Sequence, residues 1–203
     1  MIMANTVKKS KAEIATIDVS LVTIEVDGTE FGFDTASSIE VEPQINEEDA
    51  ITLVVKGILR AQKPAVSTIT GNQITLTDNV FNPELVQVLQ GGKIKYWTSA
   101  EHTSEADTDA GFGISSYTPP VAGSADKGKV FKLNAYSANY DASGQIVQYE
   151  KITYPNCQGT PVALNSEDGA FRAPEYTINS APKSNEAPYV ITYVDELPTL
   201  QDN

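Results

Sequence analysis

At 203 residues, 40% of them hydrophobic, the chain is long enough to bury a real core as one large all-β domain with long insertions. Its 14 Lys and Arg stand against 27 Asp and Glu, and the formal net charge of -13 argues against tight binding of nucleic acid, because phosphate affinity rests on basic side chains releasing counterions. Cys157 is the single cysteine, which excludes an intrachain disulfide, and no Cys/His cluster has the spacing of a structural metal site.

Residues 1–14 read as a flexible N-terminal arm. The three lysines of residues 1–11 lack a continuous apolar core beside them, so this is not a secretory signal. No apolar run approaches a bilayer span, and a soluble protein made in the cytoplasm is expected. Residues 16–26 alternate, with Ile17, Val19 and Leu21 on one phase and Val22, Ile24 and Val26 on the other; the switch at Leu21-Val22 predicts a bulge or a strand buried on both faces. Asp27-Gly28 is a hairpin turn into a strand over 30–33. A short strand over 38–41 is closed by Pro43, the acidic loop 46–49 leads into a strand over 51–59, and strands 66–70 and 73–77 pair across Gly71-Asn72.

One helix is predicted. Asn82 is a good N-cap, Pro83 suits the first helical position because its missing N–H would be unpaired there anyway, and Gly91 can take the left-handed conformation that ends a helix. A strand follows over 93–97. Residues 98–129 lose periodicity and fill with Ser, Thr, Asp, Gly and Pro, the mark of a loop that is either functional or disordered when free. Strands 130–140 and 145–154, joined by 141–144, imply a hairpin reaching roughly 30 Å at ~3.3 Å per residue, longer than a small sandwich needs. Strands 162–164, 171–179 and 189–194 alternate with turns and proline punctuation, and residues 198–203 are an extended C-terminal arm. The fold class is mainly β: a sandwich with one flanking α-helix, in a single domain over 15–197.

Chemistry is poorly served. His102 is the sole imidazole, and Glu101, Glu105, Asp107 and Asp109 sit in a Ser/Thr/Ala/Gly setting with nothing apolar to raise a carboxylate pKa, as in a solvated acidic loop. That cluster lacks the spacing of a calcium-binding loop, and Gly111-Phe112-Gly113 is only a fragment of a phosphate loop. No catalytic, metal or cofactor-binding residue is expected, and no enzymatic activity. Tyr136, Tyr140, Tyr149 and Tyr154 recur along the long hairpin; Tyr136 and Tyr140 share a face, suited either to stacking on a partner subunit or to cross-strand packing. Unpaired sheet edges and a protruding hairpin are liabilities unless other copies cover them, and head-to-tail rings would do so.

The helical segment Asn82-Pro83-Glu84-Leu85-Val86-Gln87-Val88-Leu89-Gln90-Gly91-Gly92, the segment Thr75-Leu76-Thr77-Asp78-Asn79-Val80-Phe81, and the C-terminal run 171–182 followed by Pro188-Tyr189-Val190-Ile191-Thr192-Tyr193 together resemble the tail tube (major tail) proteins of long-tailed, non-contractile phages and prophages of Gram-positive bacteria. That resemblance implies hexameric rings whose inner strands close a β-barrel around a channel, stacked into a hollow tube that passes double-stranded DNA without binding it. It also implies tape-measure and tail-terminator partners, no membrane, no cofactor, and a place in the virion after assembly in the host cytoplasm. On this reading the hairpin 130–154 or the loop 98–129 bridges rings, and an acidic lumen keeps DNA off the wall by repulsion. Asp18, Glu25, Glu40 and Glu42 are the lumen candidates; Phe112, Ile114, Tyr136 and Tyr140 are the inter-subunit candidates. Readings from other classes are a carbohydrate-binding or host-adhesion sandwich, and a decoration or head-tail connector protein.

Overall fold

The computed structural model describes residues 14–98 and 113–200. In chain order its elements are β1 (Ala15–Val26), β2 (Thr29–Phe33), β3 (Ala36–Glu48), β4 (Ile51–Val55), β5 (Ile58–Lys63), β6 (Val66–Asp78), α1 (Pro83–Gln90), β7 (Lys93–Tyr96), β8 (Ile114–Thr118), β9 (Phe131–Tyr140), β10 (Ile146–Gly159), β11 (Glu175–Ser180) and β12 (Val190–Val194). The main sheet runs β2-β1-β9-β10-β11-β6-β3, with β12 added on β10, while β4-β5 and β7-β8 are separate hairpins.

The sheet becomes a sandwich because β10 changes partners along its length. Its residues 149–153 pair with β12 and its residues 157–159 with β11. Between them the ladder to β9 slips from Tyr154 to Cys157, and Asn156 takes φ 47°. A strand that bulges and switches partners turns a corner between two layers. One layer is therefore β2-β1-β9-β10-β12 and the other β11-β6-β3. Val22, Ile24, Leu133 and Ala135 of the first meet Ile74, Leu76, Tyr176 and Ile178 of the second in one buried core.

The helix closes that core. The Asn82 side-chain oxygen accepts from the backbone N–H of Glu84 (2.9 Å) and Leu85 (3.2 Å), and Pro83 opens the first turn as expected. The Asn82 N–H donates to the Tyr176 hydroxyl at 3.4 Å, tying the helix start to β11. Gly91 ends the helix at φ 84°, ψ −161°, an extended conformation at positive φ rather than the expected left-handed one. Leu85, Val86 and Leu89 are buried. The helix lies so close to β10 that a Cβ at Gly159 would sit 2.5 Å from Leu89 Cβ.

The β1–β2 hairpin forms on Asp27-Gly28, both at positive φ as a tight turn matched to strand twist requires. At the phase switch Leu21-Val22, β1 is buried on both faces, with Leu21, Val22, Thr23 and Ile24 all covered, and its pairing with β9 is regular there; the slip in that pairing lies earlier, between Ile17 and Leu21, with Asp18 at φ 61°.

Several expectations are corrected. Pro43 does not close β3, which continues to Glu48; β3 is the last strand of the main sheet, where a residue without an N–H costs no central ladder bond. The expected strand over 51–59 is instead the hairpin β4–β5, folded at Lys56-Gly57 with φ of 51° and 77°. Gly71-Asn72 makes no turn, because β6 runs straight through it. Glycine is required there for another reason: a Cβ at Gly71 would lie 2.5 Å from the Ser180 carbonyl oxygen, and buried Asn72 donates to the Pro188 carbonyl oxygen at 3.0 Å. Residues 162–164 form no strand, and the one expected over 171–179 begins only at Glu175. The strands expected at 130–154 do not protrude, since β9 lies between β1 and β10 in mid-sheet with most of its residues buried.

Candidate assembly surfaces

The protruding element is formed by β3–β6 and β4–β5. Beyond Gln44 the paired strands leave the sandwich: Ile45 opposes Ile69, Glu48 opposes Val66, and after a break in the ladder Ile51 opposes Lys63. Residues 45–55 give this arm a contour of about 35 Å at ~3.3 Å per residue. An ion pair of 2.7 Å between Lys63 and Glu48 spans the break. Toward the tip, Ile51, Leu53, Val54, Val55, Ile58 and Leu59 are each 42–65% exposed. A contiguous group of large apolar side chains in water marks an interaction surface, unlike scattered single ones.

The second surface is the outward face of β3-β6-β11. Residues directly opposite in antiparallel strands share a face. Glu40 pairs with Thr75 and Thr75 with Thr177; Glu42 pairs with Gln73 and Gln73 with Asn179; Ser38 pairs with Thr77 and Thr77 with Glu175. These residues face away from Val41, Ile74, Leu76 and Ile178, which point to the core. Segments 36–44, 72–78 and 175–180 contain no Lys or Arg, so this face is purely acidic and neutral-polar.

The four lumen candidates therefore separate. Glu40 and Glu42 lie together on the acidic face. Glu25 lies in the other layer and is paired with Lys132 at 3.1 Å. Asp18 sits in the irregular part of β1. Of the inter-subunit candidates, Phe112 lies outside the described residues. Ile114 is half-buried at the start of β8, paired with Tyr96. Tyr140 is half-buried at the end of β9. Tyr136 is a correction: it is 2% exposed, opposite Leu21 and Lys151, with the Lys151 ammonium 5.3 Å from its ring centroid. Its face is thus covered by its own chain, the cross-strand alternative. Lys-Gly is a weak turn signal, so the turn at Lys56-Gly57 hides the arm inside what reads as one strand over 51–59, and the run of β-branched and Leu residues there is the visible sign of it.

Burial holds two titratable side chains of β10 in their protonated forms. Burial pushes the Cys157 thiol up to about 12, only partly offset by hydrogen bonds with the Leu133 backbone and Ser180, so it stays a thiol at neutral pH. Burial likewise pushes Tyr154 up to about 12, reinforced by Tyr189, Cys157 and Glu150. Among the described residues no three His, Cys, Asp or Glu side chains form a group that could hold a metal ion. His102 and its neighbouring acids lie outside the described residues. A cleft of about 540 Å³ beside the end of α1 is lined by Leu89, Pro119, Pro120, Val121, Gly159 and Pro161 among others, without a His, Cys or Ser–His pair. Also among the described residues, no helix is long and apolar enough to cross a membrane.

No family model matches the chain, and no curated protein matches it. Among solved structures, the chain is similar to one in the cryo-EM structure of the anti-feeding prophage baseplate, 6-fold symmetrised, at 10% identity and a TM-score of 0.30 over 94% of this chain and 95% of that one.

Proposed function

We propose that this chain is a structural, non-enzymatic virion subunit that polymerises with copies of itself into stacked rings, forming a hollow tail tube for DNA passage. The apolar arm carries the reading. Leaving it in water costs roughly 25 cal/mol for every Å² of apolar surface that a neighbour would otherwise cover, so the free chain is incomplete. The arm takes the bridging role expected of the hairpin 130–154 or the loop 98–129. The acidic face of β3-β6-β11 takes the lumen role, since a wall without Lys or Arg repels phosphate and leaves a duplex free to slide. Six subunits per ring, tape-measure and tail-terminator partners, and assembly in the host cytoplasm belong to the same reading, which needs no cofactor.

The test is negative-stain microscopy of the purified chain at rising concentration, beside a variant in which residues 50–64 are replaced by a two-residue Asn-Gly turn. Tubes with a regular axial repeat are expected from the full chain, and folded monomers from the shortened one. Persistent monomers of the full chain that bind glycan would replace this reading with a carbohydrate-binding module. Closed rings that never stack would favour a decoration or connector role.

A further inference from the structure

In β4 the side chains alternate, sending Ile51, Leu53 and Val55 to one face and Thr52 and Val54 to the other. Pairing extends both faces onto β5: Ile58 opposes Val55 and Ala61 opposes Leu53, while Leu59 opposes Val54 and Gln62 opposes Thr52. Arg60 is the extra residue at the slip between those pairs, and it lets Leu59 join Val54 while Ala61 stays with Leu53. The apex is therefore apolar on both sides. A ribbon that lies on one surface keeps its other face polar and wet. Here Ile51, Leu53, Val55 and Ile58 form one apolar face, Val54 and Leu59 form the other, and all six are exposed.

Charge names the occupant. Residues 50–65 contain Lys56, Arg60 and Lys63 and no acid, in a chain whose net charge is -13; Lys63 is paired with Glu48 at the base of the hairpin, which leaves Lys56 and Arg60 as the basic groups of the tip. Removing that segment leaves a body still more acidic, so the surface that complements this tip is the chain's own exterior. We propose that the apex of the β4–β5 hairpin inserts between two neighbouring copies of this chain, with its Leu53 face against one and its Val54 face against the other. This rests on the self-assembly reading and specifies a junction of three chains at each arm.

Two double variants of the full chain, L53N/I58N and V54N/L59N, are compared with wild type by light scattering across a concentration series. Each should raise the critical concentration about tenfold or more, equal to about 1.4 kcal/mol per contact surface, with far-UV circular dichroism and melting midpoint unchanged. Sensitivity of only one face would overturn the three-chain junction while leaving self-assembly intact. Insensitivity of both would overturn the junction and the arm's role together, and a wild-type chain that never assembles would overturn the function itself. A second measurement is independent of those variants: a photo-crosslinker attached to Val54→Cys or to Ile58→Cys, with Cys157 protected by burial. The two positions should capture different surface peptides of neighbouring chains, and capture of one shared peptide would sink the proposal.

Discussion

Two antiparallel hairpins of similar length meet opposite fates. The β9–β10 pair lies in mid-sheet, with β1 on one side and β11 and β12 on the other. The β3–β6 pair ends the sheet and continues as the naked β4–β5 arm. The β3–β6 hairpin draws its strand character from β-branched residues and the β9–β10 hairpin largely from aromatic ones, so both carry strong β-formers and propensity does not decide their fates. Neighbouring strands do. Even the outer face of β9 is satisfied: Asn134 Nδ2 donates to Thr23 Oγ1 (3.1 Å) and Glu30 Oε1 (3.2 Å), while its Oδ1 accepts from Thr153 (2.8 Å). That polar ladder ties β2, β1, β9 and β10 edge to edge within one chain. The arm has apolar side chains where β9 has partners, and its stability must come from outside.

The sharpest way to break the comparison is to truncate a leucine in each hairpin. Leu133 is fully buried, so Leu133→Ala should cost about 2–5 kcal/mol in urea unfolding, whereas Leu53→Ala on the exposed arm should stay within about 0.5 kcal/mol. Equal losses would mean that the arm folds back onto its own body. Next in size is Gly159→Ala, which forces the Leu89 backbone of α1 off β10 and should cost about 1–3 kcal/mol. Asn82→Ala removes the acceptor for two N–H groups at the start of α1 and should cost about 1 kcal/mol. Thermal melts of both read the body alone, so neither should lower the midpoint of an arm-deleted chain by a different amount.

A pH series sharpens the same contrast. Cys157 and Tyr154 of β10 have pKa values raised by burial, so the folded chain holds their protons more tightly than the unfolded one. Their contribution is fully present below the unfolded values and is lost as pH rises toward about 12, starting near the ordinary thiol value of 9.0. The melting midpoint should therefore fall above pH 9, and Cys157→Ala should flatten the first part of that fall. The arm holds no such buried acid, and deleting it should leave the slope unchanged.

How much of this was legible in the sequence follows the range of the interaction. The helix was readable because its caps lie within three residues of what they cap, and the β1–β2 turn because Asp27-Gly28 is self-sufficient. Gly71-Asn72 misled because its glycine answers to the Ser180 carbonyl, far along the chain, and not to a local turn. Lys56-Gly57 turns at positive φ with a residue that seldom signals it, which hid the arm inside an apparent strand. In the candidate site, Glu40 and Glu42 share a face by simple alternation. The pairing of Glu25 with Lys132 depends on strands brought together from distant sequence, so no spacing rule could set Glu25 apart.

That separation supplies the subtlest prediction. Glu40 and Glu42 are open to solvent and unpaired with any basic residue on their own face, so the double variant E40K/E42K should change the stability of the free chain by less than about 0.5 kcal/mol. It should also leave the critical concentration for assembly unchanged, because the arm lies elsewhere. Only the encounter with nucleic acid should differ: assembled wild-type tubes should exclude short duplex DNA at low salt, and the reversed tubes should retain it, releasing it as salt rises. Reversing Glu25 instead removes the partner of Lys132 in the other layer and should not create retention. If E40K/E42K tubes still exclude DNA while the Glu25 variant holds it, the channel is lined by β1 and its neighbours, and the roles of the two layers are interchanged.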